Sequence, residues 1–432
     1  MGFFAVNFTR EFSKLAKTFN HILPRWFPNL SNILIYFVSG TTTFFSAFLA
    51  GSDKWGEVTL FYTLLAYSVA LGSVGVPSYI SRFYFELRVS TIKYLGLVSV
   101  VATLIIAMII SCITFSLYKG KMQEIDFIHF TLLLGVTAIF VTLYEIQIAF
   151  LSARYLFNFV SLIRILNVLL PGLVICILAY FEVSVLFMVL TIMFSYMLLV
   201  STLTLFKIEK HRLHNHTNLL QIELEDSNKT FSKFSLSLKQ SWKLNNTMIF
   251  SLLALKIDLF FVFLRGGPQS LATYSLAILC SEVAVLFANG YYLANFLGKN
   301  VSSDYSPTIF GQFKLSIGVG IPLSFLLLLI IYFIQQTHLF NDFHEITDTF
   351  LSLIIGAIFL IYLKIVSPIL LRGNRVRTLN FGLILIVVIK TGILLLADKS
   401  FLVVGAGFIT SLSYLIGVSY IFLSIKINNR SN

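Results

Sequence analysis

The string FLAGSDKWGEVTL, residues 48–60, has a counterpart in FLRGGPQSLATYSL, residues 263–276. Phe48-Leu49 and then Gly51 precede an apolar run that opens at Gly56-Glu57-Val58-Thr59-Leu60. Phe263-Leu264 and then Gly266 precede a second run, which opens at Ala272-Thr273-Tyr274-Ser275-Leu276. From Phe48 to Phe263, and from Gly56 to Ala272, the offset is close to half of the 432-residue chain. A match at half length is the mark of a chain built from two copies of one unit, a plan common among membrane transporters.

The runs on either side support that plan. A bilayer core takes roughly 20 consecutive apolar residues per helix. Runs of that kind fall near 30–50, 57–80, 94–117, 127–150, 158–181 and 184–206, then near 244–264, 270–297, 314–335, 347–371, 378–396 and 401–425. Six and six predict an all-α polytopic membrane protein of twelve transmembrane helices. Its parts would be an amphipathic N-terminus over 1–29, an N-lobe over 30–206, a polar linker over 207–243, a C-lobe over 244–425 and a short tail over 426–432.

Composition excludes other classes. The chain is 57% hydrophobic and 12% charged, against about 45–50% and 25% for soluble domains. So few charges cannot cover a water-exposed surface, which rules out a soluble enzyme, a disordered chain and a nucleic-acid-binding domain. The balance is nonetheless basic, with 31 Lys+Arg against 19 Asp+Glu. In a membrane protein such an excess first reports topology. Only Lys54, Lys119, Lys121, Arg265 and Lys399 fall in the loops of one side, and Arg164, Lys256, Lys364 and Lys390 fall inside runs. All other cations, including those of the central linker, fall on the opposite side. The positive-inside rule makes that side cytoplasmic, with both termini on it.

Several features carry little chemistry. No cleavable signal peptide is evident. Phe8, Phe12, Leu15, Phe19 and Ile22 alternate with Arg10, Lys14 and Lys17 as in a helix lying on a membrane surface. Cys112, Cys176 and Cys280 each stand alone in apolar runs, without metal-ligand spacing. His211, His214 and His216 cluster in the linker, but no Cys or carboxylate pair completes a metal site. No Walker loop, GxSxG or HExxH is present. No cofactor is expected.

Function is sought instead among ionisable residues inside the runs. Each central charge costs at least about 2.5–3.5 kcal/mol to insert. Seven stand out: Glu145, Arg164, Lys256, Asp258, Glu282, Lys364 and Lys390. Glu145 and Arg164 share the cytoplasmic third of consecutive antiparallel helices, where they could pair. Lys256 and Asp258, two residues apart, face opposite sides of one helix. Glu282 is a partner available to Lys256. Lys364 and Lys390 could snorkel toward the interfaces or join Arg164 and Lys256 as cations that bind an anionic substrate. The three acids are candidates for ion pairing or for coupling to H+ or Na+. Helix breakers at Gly72, Gly75 and Pro77, at Pro171-Gly172, at Gly318, Gly320 and Pro322, and at Pro368 suit helices that bend.

Taken together, these features resemble the polysaccharide-transporter branch of the multidrug/oligosaccharidyl-lipid/polysaccharide exporter superfamily, the Wzx-type O-antigen flippases. The resemblance rests on the six-plus-six plan, on Gly56 at the start of span 2, and on Gly72–Pro77 leading into the basic loop from Ser81-Arg82 to Lys93. It rests also on Lys256-Ile257-Asp258 followed by Ala272-Thr273-Tyr274-Ser275-Leu276-Ala277, which resembles the family's G-x-Y-S-x-A with Ala272 where Gly is usual. It implies a two-lobed, MATE-like bundle around a central cavity. The implied cargo is an undecaprenyl-pyrophosphate-linked oligosaccharide, moved to the periplasmic leaflet by alternating access. Membrane lipids and a polysaccharide polymerase are the implied partners, with no nucleic acid. The rivals are a drug-cation exporter of the same superfamily, which would favour acids over cations, a major facilitator, whose Arg-Gly-Arg loop is missing from 81–93, an O-antigen polymerase or ligase, which would call for a large periplasmic loop where the largest loop here is cytoplasmic, and a peptidoglycan-precursor flippase, which would usually have more than twelve spans.

Overall fold

The computed structural model describes residues 27–84, 87, 89–117, 126–153, 156–214, 227–297, 309–336, 343, 345–372, 375–397 and 402–428. The amphipathic stretch from Phe8 to Ile22 and His216 lie outside them. Among the described residues eleven helices follow in order: α1 Phe27–Gly72, α2 Val76–Phe83, α3 Val89–Leu117, α4 Phe127–Ala153, α5 Phe157–Tyr180, α6 Val185–His214, α7 Ser227–Leu297, α8 Ile309–Gln336, α9 Ile346–Arg372, α10 Val376–Leu396 and α11 Leu402–Asn428.

Two of these helices are too long to be single spans. The 71 residues of α7 would reach roughly 100 Å as one straight helix, several times a bilayer core. Gly267 interrupts α7 at φ 80° and ψ −167°, and Gly51 interrupts α1 at φ 77° and ψ 166°. That backbone region is open essentially to glycine alone. At Gly267 the following Pro268 reinforces the break, since a residue before proline is driven out of the helical region. The chain folds back there. Asp258 and Tyr274, 16 residues apart, would lie about 24 Å apart along a straight helix, yet their side chains hydrogen-bond at 2.7 Å.

With α1 divided at Gly51 into limbs α1a (27–50) and α1b (52–72), and α7 at Gly267 into α7a (227–266) and α7b (268–297), the twelve apolar runs fall along helices or limbs, the second of them continuing from α1b across the bend into α2. Among the described residues, eight helices are long and apolar enough to cross a membrane. A ninth forms if Phe37–Gly72 and Val76–Phe83, bent by 54° to one another, count as one span. One of the eight, Ser235–Glu282, itself contains the Gly267 fold. The bend between α1 and α2 falls on the expected breaker, with Val74 and Gly75 both at positive φ. Two details differ from the sequence reading. The turn that matches Gly51 lies at Gly267, not Gly266, one position further along the chain. And α6 runs to His214 while α7 begins at Ser227, so helix enters the stretch 207–243 from both sides.

The halves meet along α1b and α7. At the end bearing Gly51 and Gly267, here the turn end, Gln269 Nε2 donates to Asp53 Oδ2 at 3.2 Å, and the hydroxyls of Thr59 and Ser275 stand 3.5 Å apart. Both pairs are separated by 216 residues, as are Gly51 and Gly267, so each joins equivalent positions of the two halves. A pseudo-twofold axis therefore runs between them. Gly56 permits the approach, because a Cβ there would lie 2.1 Å from the Pro268 carbonyl oxygen. Toward the opposite, basic end, α1b and the bend after it reach α7a instead. Asn245 Nδ2 donates to the Ala70 carbonyl at 2.9 Å, and Ser241 donates to the Val74 carbonyl at 2.6 Å.

The repeat extends to the few cations of the turn end. Lys54 donates to the carbonyl of Glu182 just beyond α5. Arg265 donates to the carbonyls of Leu395 and Ala397 at the end of α10. Glu182 and Ala397 hold matching places in the repeat, so in each half a cation beside the glycine turn caps the end of the fifth span. Cations favour these exposed carbonyls because the helix dipole is negative there.

Apolar packing follows the same plan. Phe61 and Leu64 of α1b share one buried cluster with Val262, Phe263 and Tyr274 of α7 and Phe350 of α9. Small residues let helices touch within the C-lobe: a Cβ on Gly356 would lie 2.7 Å from Ser411 Oγ, and one on Gly417 2.9 Å from the Gly382 carbonyl. Leu97, Val101, Ile105 and Met108 form an exposed stripe along α3. In a membrane such a stripe faces lipid.

Candidate functional site

Asp258 lies on α7a ahead of the glycine fold, which brings α7b back alongside it. Its Oδ2 accepts three hydrogen bonds: from Tyr274 of α7b at 2.7 Å, Thr410 of α11 at 2.8 Å and Lys390 Nζ of α10 at 3.0 Å. Its Oδ1 accepts from the backbone N–H of Leu259. Lys390 Nζ also donates to the Ala254 carbonyl, one helical turn before Asp258, at 2.7 Å. It stands 4.9 Å from the centre of the Tyr414 ring, within range of a cation–π contact. Neither Asp258 nor Lys390 has exposed surface. A buried ion pair of this kind holds together only when its remaining donors and acceptors are satisfied, and these neighbours satisfy them.

This network revises two expectations. Lys390 does not snorkel to an interface; it is fully enclosed, because Asp258 and the Ala254 carbonyl supply a polar pocket at depth. Nor is it open to a substrate, unlike a lumen cation. Glu282 does not stand out as a partner of Lys256 alone: its charge acts on Lys364 and on Lys390. Lys364 feels Lys256 as well. Lys256 and Asp258 do face different surroundings, Lys256 half-buried and Asp258 enclosed.

Beside the pair is a cavity of about 10 Å³, lined by Asp258, Ser281, Glu282, Thr410 and Tyr414 with apolar residues around them. That volume is near the room a single water needs. Two carboxylate and three hydroxyl residues line it. Among the described residues no group of three or more His, Cys, Asp and Glu could hold a metal ion. In the other half, the buried Tyr67 of α1b has a hydroxyl without a hydrogen-bond partner among the described residues. Tyr67 lies within reach of the Asp258 charge, so the network of one half approaches the other.

The N-lobe carries a second polar group. Glu145 of α4 and Arg164 of α5 are brought within electrostatic range of each other. Arg164 is exposed, whereas Ser161 and Ile163 just before it are buried. Asn167, one turn further on, donates Nδ2 to the Tyr196 hydroxyl of α6 at 3.4 Å. The rings of Tyr144 and Tyr196 meet edge to face with centroids 5.6 Å apart.

Sequence reading singled out seven charged residues and missed the uncharged ones that surround them: Tyr274, Thr410 and Tyr414 in one half, Tyr144, Asn167 and Tyr196 in the other. Tyr274 lies within the repeated string and within the run that resembles G-x-Y-S-x-A, its two signals; hydroxyl side chains elsewhere are too common in membrane helices to mark a site. Glu57 was missed too. It is buried soon after Gly51, near the turn end, where sequence counting makes it the edge of a span.

No protein-family model matches the chain, and no curated protein matches it. Solved structures do. The inward-facing conformation of a multidrug resistance MATE family transporter of the MOP superfamily matches with a TM-score of 0.61 at 14% identity, over 97% of this chain and 99% of that one. The lipid II flippase MurJ in an inward closed conformation matches with a TM-score of 0.57 at 13% identity, over 96% of this chain and 87% of that one. A MOP superfamily transporter from Pyrococcus furiosus, described as having a binding pocket of reverse polarity, matches with a TM-score of 0.57 at 12% identity, over 93% of this chain and 94% of that one. At these identities the likeness is one of fold: the chain is an all-helical, two-lobed bundle of the MATE and MurJ kind.

Proposed function

We propose that the protein is a membrane transporter that flips a polyprenyl-diphosphate-linked oligosaccharide, of the O-antigen or capsule type, from the cytoplasmic to the periplasmic leaflet of a bacterial inner membrane. The observation that carries the reading is the charge set held at depth within this fold. Of the seven charges inside the runs, Asp258 and Lys390 neutralise each other, which leaves Arg164, Lys256 and Lys364 against Glu145 and Glu282; the buried Glu57 lies apart from them, nearer the turn end. A net cationic interior suits a diphosphate, which guanidinium and ammonium groups bind as charge-assisted hydrogen-bond donors.

The energetics support that direction of travel. A diphosphate cannot cross hydrocarbon unaided, and a polar, cationic path between the lobes lowers the barrier. Moving about two negative charges outward down an inside-negative potential of 100 mV is favourable by roughly 4–5 kcal/mol. Arg164, Lys256 and Lys364 bind the head group, while Lys390 holds Asp258. Glu145, Asp258 and Glu282 are the groups through which H+ or Na+ coupling would act. The basic end is cytoplasmic by the distribution of Lys and Arg, with both termini there.

A second reading, export of a small cation, is favoured by one observation, the convergence of Asp258 and Glu282 on one cavity. Reconstitution separates the two. Vesicles containing the protein and undecaprenyl-diphosphate-linked sugar should expose the sugar to an external probe faster than protein-free vesicles. Uptake of a lipophilic cation with no movement of the glycolipid would sink the flippase reading.

A further inference from the structure

We infer that the N-lobe cluster of Tyr62, Tyr144, Glu145, Arg164, Asn167 and Tyr196 is a carbohydrate subsite, which reads the sugar nearest the diphosphate. The inference rests on the flippase reading above and adds to it which part of the cargo meets which half of the molecule.

The chemistry of the cluster differs from that of the C-lobe. There, hydroxyls, carboxylate and ammonium consume one another's hydrogen bonds, and Asp258 Oδ2 alone takes three. In the N-lobe the corresponding groups are left over. Tyr144 is buried with its hydroxyl unpartnered among the described residues, and so is the Oδ1 of Asn167. Asn167 spends one N–H on the Tyr196 oxygen at 3.4 Å, which leaves the Tyr196 proton free to be donated outward. Buried donors and acceptors without partners are uncommon, because each forgoes the hydrogen bonds it would make in water. A ligand rich in hydroxyls would supply them.

The aromatic components fit as well. Tyr144 and Tyr196 pack edge to face at 5.6 Å, which fixes the ring orientations, and Tyr196, the partly exposed one of the two, has ring surface on which the C–H side of a pyranose could lie. Tyr62 of α1b is 37% exposed although Phe61 and Thr63 beside it are buried, and it lies within electrostatic reach of Tyr196. It extends the aromatic wall into open space. Arg164 is open at the same site, and Glu145 supplies carboxylate acceptors. Amide, phenol, carboxylate and guanidinium around rigid rings can donate to and accept from sugar hydroxyls in several directions. An organic cation is a poorer fit, because Arg164 would repel it.

From Arg164 to Asn167 is less than one helical turn, about 4.5 Å along the axis. A sugar on Asn167 and Tyr196 therefore sits within reach of a phosphate on Arg164, the spacing a glycosyl diphosphate requires.

The test uses the full chain in nanodiscs with two probes, undecaprenyl diphosphate and undecaprenyl-diphosphate-linked N-acetylglucosamine. The sugar-bearing lipid should bind about tenfold more tightly. In Asn167→Ala, and in the isosteric Tyr144→Phe, that ratio should fall toward one with the affinity for undecaprenyl diphosphate unchanged. Thermal melting of both variants reports that they remain folded. A wild-type ratio of one, or a ratio that survives both substitutions, overturns the subsite. Tight binding of tetraphenylphosphonium that Asn167→Ala or Tyr196→Leu abolishes would overturn it in favour of a cation site. Failure of both lipids to bind at all would instead overturn the flippase reading.

Discussion

Asp258 Oδ2 and Lys390 Nζ stand 3.0 Å apart across 132 residues of sequence, and neither side chain has exposed surface. Removing one partner leaves an uncompensated charge in the interior. Lys390→Met should therefore destabilise the protein by about 3–5 kcal/mol. Combining it with Asp258→Asn should recover much of that loss, since no bare ion then remains. Melting of the two single variants and the double variant in detergent forms the test. A double variant that loses the sum of both singles would mean the two residues are not coupled.

The fold at Gly267 gives a cleaner backbone test. A Cβ there meets nothing within 4 Å, so Gly267→Ala adds no clash. Only the positive φ is penalised, by about 1–3 kcal/mol. Chemical denaturation should report a loss in that range, and an unchanged midpoint would contradict the turn.

Gly56 makes the opposite case. Its substitution meets Pro268 backbone at 2.1 Å, so Gly56→Leu should force α1b and α7b apart at the turn end. In a chain carrying Asp53→Cys and Gln269→Cys, oxidation should cross-link the two limbs, and Gly56→Leu should lower the yield severalfold. If transport requires these limbs to separate, the cross-link should also halt it until reductant is added. Continued transport by the cross-linked protein would show that the turn end stays closed throughout the cycle.

How much of this was legible in the sequence depended on what kind of physics each feature used. Span positions were readable because burial in lipid demands long apolar runs, whatever the tertiary packing. The repeat was readable at Phe48-Leu49 and Phe263-Leu264, although the side-by-side glycines 266 and 267 hid which one turns the chain, since both fit the string and only the φ angle distinguishes them. The pairing of Asp258 with Lys390 was not readable. It depends on α7b folding back and on how α10 and α11 pack around it, long-range geometry that leaves no local pattern. Lys390 itself looked like a snorkelling residue, because its run gives no sign of a carboxylate so far away in the chain.

Arg164 and Lys256 are the cations through which the cargo reading is most exposed. Arg164→Ala or Lys256→Ala should lower glycolipid flipping at least tenfold in vesicles while leaving the amount of folded protein unchanged. In a strain lacking its own flippase, the same variants should fail to restore surface polysaccharide and should accumulate the lipid-linked unit. Full restoration by both would remove the cationic path from the mechanism.

The hydrogen bond between Asp53 and Gln269 bears on how such a molecule can be assembled. Two separate, identical six-helix chains meeting on a true twofold axis would set each residue there against itself. An aspartate would then confront an aspartate, and the contact would be repulsive. Joining the halves in one polypeptide removes that constraint, because the two sides of the axis can differ by a single atom group. Fusion thus lets an acid on one side meet an amide on the other, and lets one half keep a closed ion pair while the other keeps its polar groups unspent.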